Sequence, residues 1–373
     1  VIVAGKRESQ EGFHVVGAHI DSPRLELKAR PLYEKEEFAL FQTNYHGGIK
    51  TYQWTNLPLA LMGRVDLKDG RTVWISVGNR PEEPTFIVAD LSPHVDFDLR
   101  DRKYGDVIQH EELDPLVGHI PAAAGAGVRS SVIDHLRSEY SIGLDDLVSA
   151  ELALVPAMEP RDVGFDRGLM AMYGQDDRLS GYAALIAILD SPAPEHTAIA
   201  YLVDNEEVGN VNNTGADSSY LIDLLGRLLY MEMGSEFQDR WLRRALRATR
   251  VISSDVNPGI DPIWPSAWEE TNAPRLGHGV NFKMYGRGFN ANSEYTAWIR
   301  KLLDDAGVPW QIATYKVGRG GGGTIGGALA DDNMEVIDIG VPVLSIHTPY
   351  SVSSKVDVYD LYRAMRAFFQ AAR

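Results

Sequence analysis

The feature that most restricts the fold of this chain is an apolar run that ends in two adjacent glutamates. The run covers residues 197–203, and Glu206 and Glu207 follow it within the segment Asp-Asn-Glu-Glu-Val-Gly. A continuous apolar run of this length predicts a strand buried on both faces of a parallel sheet. The strand would place two carboxylates with different directions at the rim of that sheet. One carboxylate can hold a metal ion while the other transfers a proton, although a solvated acidic turn is the simpler interpretation.

The composition limits the kinds of site that the chain can build. Its 373 residues exceed what one hydrophobic core usually fills, so two domains are expected. The formal net charge of −16 argues against nucleic acid or an anionic membrane surface as a partner, because both need a basic face. The chain has no cysteine, which excludes disulfides, thiol nucleophiles and thiolate ligands. A metal site would therefore use His, Asp and Glu.

Signals for membrane insertion or secretion are absent from the sequence. No apolar run approaches the roughly 20 residues of a membrane-spanning helix, and residues 1–10 lack the apolar core of a signal peptide. A cytoplasmic location is therefore expected. The chain begins with Val1 instead of Met, which suggests a missing start.

Two regions with different patterns divide the chain. Residues 32–165 contain many short β-type runs separated by Gly, Pro and Asp turns, with few and short helical patterns. This pattern predicts an inserted β-rich domain. Residues 1–31 and 166–373 are expected to form one discontinuous α/β domain. Its sheet is expected to be mainly parallel and sandwiched by helices.

Helix and strand patterns alternate in the α/β region. Apolar spacing predicts helices over residues 177–189, 218–229, 294–303 and 358–369. Apolar runs predict strands over residues 14–18, 197–203, 249–254, 311–317 and 341–346.

Candidate metal ligands follow several of these strands. The side chains at or just past the predicted strand ends are those of His19, Glu206, Glu207, Asp255 and His347. Asp176 immediately precedes a predicted helix and can be carried to the same rim. Because ligands bind at the carboxyl edge of an open α/β sheet, these groups are expected to face one crevice. Two histidines and several carboxylates without a thiolate suit one or two zinc-like divalent ions.

Each of these residues also has a purely structural explanation. His19 and His347 can be ordinary strand-end histidines, although Asp21 is placed to orient His19 through its second ring nitrogen. Asp176 can be a helix N-cap, and Asp255 can be a turn residue. These explanations are reasonable one by one but account poorly for the whole set.

Four motifs together resemble the aspartyl aminopeptidase family of dinuclear zinc metallopeptidases. They are His-Ile-Asp-Ser-Pro at 19–23, Asp-Asp-Arg at 176–178, Asp-Asn-Glu-Glu-Val-Gly at 204–209 and His-Thr-Pro at 347–349. The likeness extends over nearly the whole chain. It implies a zinc-exopeptidase-like catalytic domain with an inserted dimerisation domain, and a large homo-oligomer, a dodecamer built from dimers.

The resemblance also implies a role for each site residue. Asp176 would bridge two divalent ions, zinc with cobalt or manganese as alternatives. His19 and Asp255 would complete one metal site, and Glu207 and His347 the other. The remaining roles would be those of Glu206 as the general base and Asp21 as the partner that orients His19.

The implied activity is metal-dependent removal of N-terminal residues from peptides that have a free N-terminus. The family name implies acidic N-terminal residues, which need a local cation in so negative a protein. Lys283 matches a lysine that the family is thought to use in its specificity pocket, and Arg287 is close in sequence. A plain surface lysine is the alternative for Lys283.

Three other functions fit parts of the sequence. The glycines of residues 318–323 follow a predicted strand, and Asp338 lies about 20 residues beyond the first of them, which is a spacing found in dinucleotide-binding turns of NAD-dependent dehydrogenases. A dinuclear carboxypeptidase or deacylase on the same architecture is the closest enzymatic alternative. A metal-free assembly scaffold is a third, although it would not need all six acidic and imidazole groups.

Overall fold

The computed structural model describes residues 1–286 and 289–372. The described chain divides into two compact units. The first unit consists of the described residues of Val1–Ser22, Pro160–Ile346 and Ser351–Arg373. The second consists of Pro23–Glu159 and His347–Tyr350.

The described chain contains both α-helices and β-strands, numbered in chain order. The α-helices are α1 (Phe97–Arg100), α2 (Val128–Tyr140), α3 (Gln175–Leu189), α4 (Tyr220–Met233), α5 (Asp239–Ala248), α6 (Ser293–Asp305), α7 (Gly326–Asp331) and α8 (Lys355–Gln370). The first strands are β1 (Ile2–Val3), β2 (His14–His19), β3 (Arg24–Lys35), β4 (Phe38–His46), β5 (Leu59–Asp66), β6 (Thr72–Val77), β7 (Leu116–Gly118), β8 (Ala150–Pro156), β9 (Arg161–Val163) and β10 (Leu169–Met172). The remaining strands are β11 (Ala198–Val203), β12 (Arg250–Ser254), β13 (Asn257–Pro258), β14 (Val280–Gly286), β15 (Phe289–Asn290), β16 (Trp310–Thr314), β17 (Glu335–Gly340), β18 (Pro342–Leu344) and β19 (Ser351–Ser354).

The first unit is built on an eight-stranded mixed sheet. Its strand order is β1-β11-β2-β12-β17-β14-β15, with β16 paired to β14. The central pairs β11–β2, β2–β12 and β12–β17 are parallel, whereas β14 runs antiparallel to β17. The predicted α/β class is therefore correct, and the parallel centre of the sheet carries the candidate site.

Apolar side chains of the strands and helices form the buried core of this unit. All six residues of β2 are buried, as expected of a parallel strand with helices on both faces. Helix α8 buries a stripe made by Leu361, Ala364, Met365, Phe368 and Phe369. Their spacing of three and four residues places these side chains on one face of the helix, which packs on the sheet.

Several predicted boundaries were wrong. The strand predicted over residues 311–317 ends at Thr314, and the predicted run 341–346 contains only the short strand Pro342–Leu344. The helix predicted over residues 218–229 runs from Tyr220 to Met233. Helix α5 and strand β14 were missed, because α5 is highly charged and β14 mixes apolar, polar and charged side chains.

The second unit contains a six-stranded sheet with the order β6-β5-β8-β3-β4-β7. Every pairing in it is antiparallel. The unit also contains the 13-residue helix α2, whereas the sequence predicted only short helical patterns there.

The unit boundaries fall at Pro23 and Glu159, whereas the sequence interpretation placed the insertion at residues 32–165. The difference at the first boundary arises because β3 starts at Arg24 and is one long strand that belongs to this antiparallel sheet. Among the described residues, no helix is both long and apolar enough to cross a membrane.

Candidate metal centre

His19 ends strand β2 and is almost completely buried. Its Nδ1 lies 3.1 Å from both the carbonyl oxygen and the Oδ1 atom of Asp21. Because both neighbours are acceptors, Nδ1 carries the proton, and Nε2 is the ring nitrogen that could bind a metal ion. This is the orientation that a carboxylate gives to a metal-binding histidine.

Three carboxylates surround the Nε2 atom of His19. It lies 3.1 Å from Asp176 Oδ1, 3.7 Å from Asp255 Oδ1 and 3.9 Å from Glu206 Oε2. One ligand atom from each of His19, Asp176 and Asp255 lies within 4.8 Å of the other two, and the same holds for His19, Glu206 and Glu207. The structure thus brings five of the predicted site residues together.

Sheet topology explains why these residues meet. His19 ends β2, Glu206 and Glu207 lie just past β11, and Asp255 lies just past β12. These three strands are parallel neighbours, so their carboxyl ends lie at one edge. Asp176 reaches the same edge from the start of α3, where its backbone angles are not helical. It is not the N-cap that one interpretation of the sequence allowed, because Gly174 holds that position.

Asp21 has a second set of contacts that the sequence did not predict. Its Oδ1 accepts a hydrogen bond from the backbone N–H of Glu206, and its Oδ2 accepts one from the N–H of Glu207, each at 3.1 Å. One buried carboxylate therefore fixes both the ring of His19 and the turn that carries the two glutamates. No sequence signal could identify contacts between residues that are 185 and 186 positions apart.

Burial and the closeness of several carboxylates shift the pKa values of the site residues. Burial, followed by the nearby charge of Asp255, raises the pKa of Glu206 to about 7. Burial alone would lower the pKa of His19, but the nearby carboxylates of Asp176, Asp21 and Asp255 hold that pKa well above its ordinary value. The carboxylates thus favour a positive charge among them.

Asp177 adds another carboxylate that the sequence interpretation did not use. It is completely buried, and burial with the charge of Asp255 raises its pKa well above the ordinary range. A group of carboxylates this dense is costly to bury without cations.

His347, the remaining predicted ligand, belongs to the second compact unit. Its Nδ1 lies 2.7 Å from the carbonyl oxygen of Gly48 in the same unit. Nδ1 therefore donates to Gly48, so Nε2 is the ring nitrogen with which His347 could bind a metal ion.

The sequence of the chain matches one protein family along almost its full length. The profile of the "Aminopeptidase I zinc metalloprotease (M18)" family covers residues 1–369. The chain belongs to the M18 family. It is therefore a hydrolase of a zinc metalloprotease family, an aminopeptidase that acts as an exopeptidase.

Relatives and solved structures agree with this assignment. A "Probable M18 family aminopeptidase 1" of Clostridium acetobutylicum is 40% identical over 378 residues, which are 99% of this chain and 81% of the relative. One of Borrelia garinii is 38% identical over 379 residues, which are 99% of this chain and 83% of the relative. The crystal structure of the M18 aminopeptidase from Thermotoga maritima has a TM-score of 0.94 at 38% identity, over 99% of this chain and 86% of that one.

The M18 assignment leaves the dinucleotide-binding alternative without support. In the structure the glycines at 318–323 are followed by α7, which has only six residues and is too short for the phosphate-binding helix of that motif. Asp338 lies inside β17 and not at its end, and it is buried.

Lys283, the predicted substrate-binding residue, lies on β14 and is buried. Its Nζ is 3.5 Å from Asp255 Oδ2. The M18 chain therefore places a cation directly beside a candidate metal ligand, so the surface-lysine alternative is wrong. Arg287, the other cation considered, lies outside the described residues.

Proposed function

We propose that this M18 aminopeptidase works with two divalent metal ions, and that it releases acidic N-terminal residues from peptides. The observation that carries the metal proposal is the convergence of His19 Nε2 with oxygen atoms of Asp176, Asp255 and Glu206 within 3.9 Å. One proposed ion is held by His19, Asp176 and Asp255, and the other by Asp176 and Glu207. His347 remains the predicted third ligand of the second ion.

The residues present fit zinc or a similar ion. Nitrogen and carboxylate oxygen are its usual ligands in proteins without a thiolate at the site. Asp255 Oδ1 is buried and forms no hydrogen bond within the described part of the chain. A divalent cation would satisfy that oxygen. It would also offset the repulsion from Asp255, which together with the larger effect of burial raises the pKa of Glu206.

Glu206 fits the role of general base. It is uncommitted to an ion in this assignment, it lies 3.9 Å from His19 Nε2, and its backbone N–H is held by Asp21. Bound zinc, when present, supplies a more acidic water and polarises the scissile carbonyl. Glu206 accepts a proton from the attacking water and returns it to the departing amine, while Asp21 keeps the turn and the ring of His19 in place.

An acidic side chain of the substrate would need a cation, and Lys283 is the proposed one. Its ammonium group has three N–H donors, so a bond to Asp255 leaves donors for a substrate carboxylate. Burial of that ammonium would strengthen its pairing with a carboxylate compared with a pair in bulk water.

Replacing Lys283 with alanine is expected to lower kcat/KM for aspartyl and glutamyl substrates by about 100-fold more than for leucyl substrates, since a buried charge pair is lost only with the former. The measurement compares the three aminoacyl anilides at saturating zinc. The exposed Lys301, which pairs with Asp305 on α6, provides the matched control Lys301→Ala. Equal losses on acidic and leucyl substrates would contradict the assignment.

Assembly of the chain into a homo-oligomer is proposed from its relatives. A structure described as the S. cerevisiae mApe1 dodecamer shares the fold, with a TM-score of 0.80 at 19% identity. We propose residues 32–165 as the dimerisation and assembly domain. Trp74 in this region is 69% exposed, which suits a contact surface. A cytoplasmic location stays a prediction.

The proposed function is tested by metal analysis of the purified protein together with a peptide panel. We expect two zinc-like ions per chain, cleavage of peptides with a free N-terminus, and no cleavage of their acetylated counterparts. Cleavage that ignores acetylation but needs a free C-terminus would point to the carboxypeptidase alternative. Activity without any metal would contradict the dinuclear proposal.

A further inference from the structure

Three neighbouring strands carry a row of polar side chains across the first unit. Ser253 on β12 is paired in register with Asp338 on β17, and Asp338 is paired in register with Lys283 on β14. Side chains paired directly across neighbouring strands lie on the same face of a sheet, about 5 Å apart at their Cβ atoms. We call Ser253, Asp338 and Lys283 the charge row. All three are buried.

Asp338 is an unusual component of a sheet core. Its two carboxylate oxygens are buried, and no donor in the described residues forms a well-aligned hydrogen bond with either. Burial raises the pKa of Asp338 to about 6, and the charge of Lys283 is the largest influence that opposes this rise. A buried carboxylate of this kind needs a cation nearby, and the row supplies Lys283.

Two carboxylates, those of Asp255 and Asp338, lie near Lys283. Its Nζ is 3.5 Å from Asp255 Oδ2 on one side, and Asp338 is its register partner on β17. Burial lowers the pKa of Lys283, but Asp255, Tyr315 and Asp338 together hold that pKa above its ordinary value. Two carboxylates therefore lie near Lys283, one of them 3.5 Å from its Nζ and the other on the residue paired with it across the sheet.

The two oxygens of Asp255 have different surroundings. Oδ2 faces the ammonium of Lys283, whereas Oδ1 faces His19 Nε2 at 3.7 Å and has no hydrogen-bond donor within the described segments. The charge row thus engages one oxygen and leaves the other for a cation. Groups that orient a metal ligand in this way commonly change metal affinity by about 10-fold to 100-fold when they are removed.

We propose that Asp338 is a positioning residue of the metal centre, which tethers the Lys283 ammonium beside Asp255 so that Asp255 presents Oδ1 to the metal. Asp338 does this from the neighbouring strand and touches neither substrate nor metal. The inference rests on the proposed metal role of Asp255, and it goes beyond the family resemblance, which assigns nothing to Asp338.

Gly326 at the start of α7 leaves the space that Asp338 occupies. A Cβ atom on Gly326 would lie 2.4 Å from Asp338 Oδ1 and 3.2 Å from Ser253 Oγ. Gly326→Ala would therefore displace the carboxylate without removing its charge. This variant therefore tests the position of the Asp338 carboxylate while its charge is unchanged.

The experiment measures zinc affinity of the full chain, stripped of metal and titrated against a chromophoric chelator. Asp338→Asn is expected to raise the Kd of one of the two zinc ions by about 10-fold, with both ions still bound at saturation. Gly326→Ala is expected to raise the same Kd. The exposed Asp331, at the end of α7, provides the control Asp331→Asn, which is expected to stay within about twofold of the unmodified chain.

A double-mutant cycle with Lys283→Met shows whether Asp338 acts through Lys283. Adding Asp338→Asn to Lys283→Met is expected to change the Kd by less than about twofold, because the tether has already lost its ammonium. Independent, additive effects would overturn the inference, and so would unchanged zinc affinity in a folded Asp338→Asn variant. Failure of the unmodified chain to bind zinc would instead contradict the proposed metal centre itself, and the inference with it.

Discussion

Replacing Glu206 with glutamine is expected to lower kcat by about 10³-fold while the protein keeps its zinc, because general acid–base catalysis contributes about 10² to 10⁴ in rate. Glutamine preserves the size of the side chain and its backbone bond to Asp21, but it cannot accept a proton from water. Substrate binding relies on other groups, so KM is expected to change by less than about threefold.

The measurement combines steady-state kinetics with metal content by mass spectrometry. Glu207→Gln is the informative comparison, because it alters the adjacent residue, which is the proposed ligand. That variant is expected to lose about one zinc ion per chain, which Glu206→Gln retains. The exposed Glu236 provides a surface control, Glu236→Gln. Full activity in zinc-loaded Glu206→Gln protein would remove Glu206 from the base role.

Removal of the metal is expected to abolish turnover, with a loss of at least about 10³-fold, because the water and the carbonyl lose their activation. Activity is expected to return only as the second equivalent of zinc is added. With only one zinc ion per chain, the site would lack the second positive charge that helps to bind and polarise the substrate. The measurement is a stepwise zinc titration of chelator-treated protein, followed by activity at each step.

A melting curve of the same samples provides the structural control. Zinc binding is expected to raise the melting temperature, because ions bind the folded carboxylate cluster and not the unfolded chain. Full activity at one equivalent would contradict the dinuclear proposal. Recovery of activity with magnesium alone would contradict a metal site that uses histidine nitrogen, since magnesium prefers oxygen ligands.

The strands and helices of the catalytic region were largely predictable from local pattern. The runs that became β2 and β11 are continuous and apolar, which is typical of strands buried on both faces. The apolar spacing of α8 indicates a helix in the same way. Strand β14 was not predictable from its pattern, because Asn281 and Lys283 interrupt its apolar character. The register partner of Lys283 is Asp338, which lies on a neighbouring strand and not nearby in sequence.

The candidate site was partly predictable from the same strand patterns. His19, Glu206 and Asp255 follow strand patterns, and the carboxyl ends of parallel strands meet at one edge. The strand order, however, decides which ends are neighbours. The place of β2 between β11 and β12 puts Asp21 under the N–H groups of Glu206 and Glu207, and nothing in the local sequence of either segment carries that information.

The family, the kind of sheet and the types of ligand were predictable from local sequence, because these depend on short motifs, periodicity and the absence of cysteine. The burial of Lys283 beside Asp255, and its pairing in register with Asp338 on the adjacent strand, are visible only in the folded chain. Burial and pairing were not predictable because they depend on which residues are neighbours in space. The charges of Lys283 and Asp338 are separated by 55 residues of chain, and they can be matched only once β14 and β17 lie side by side.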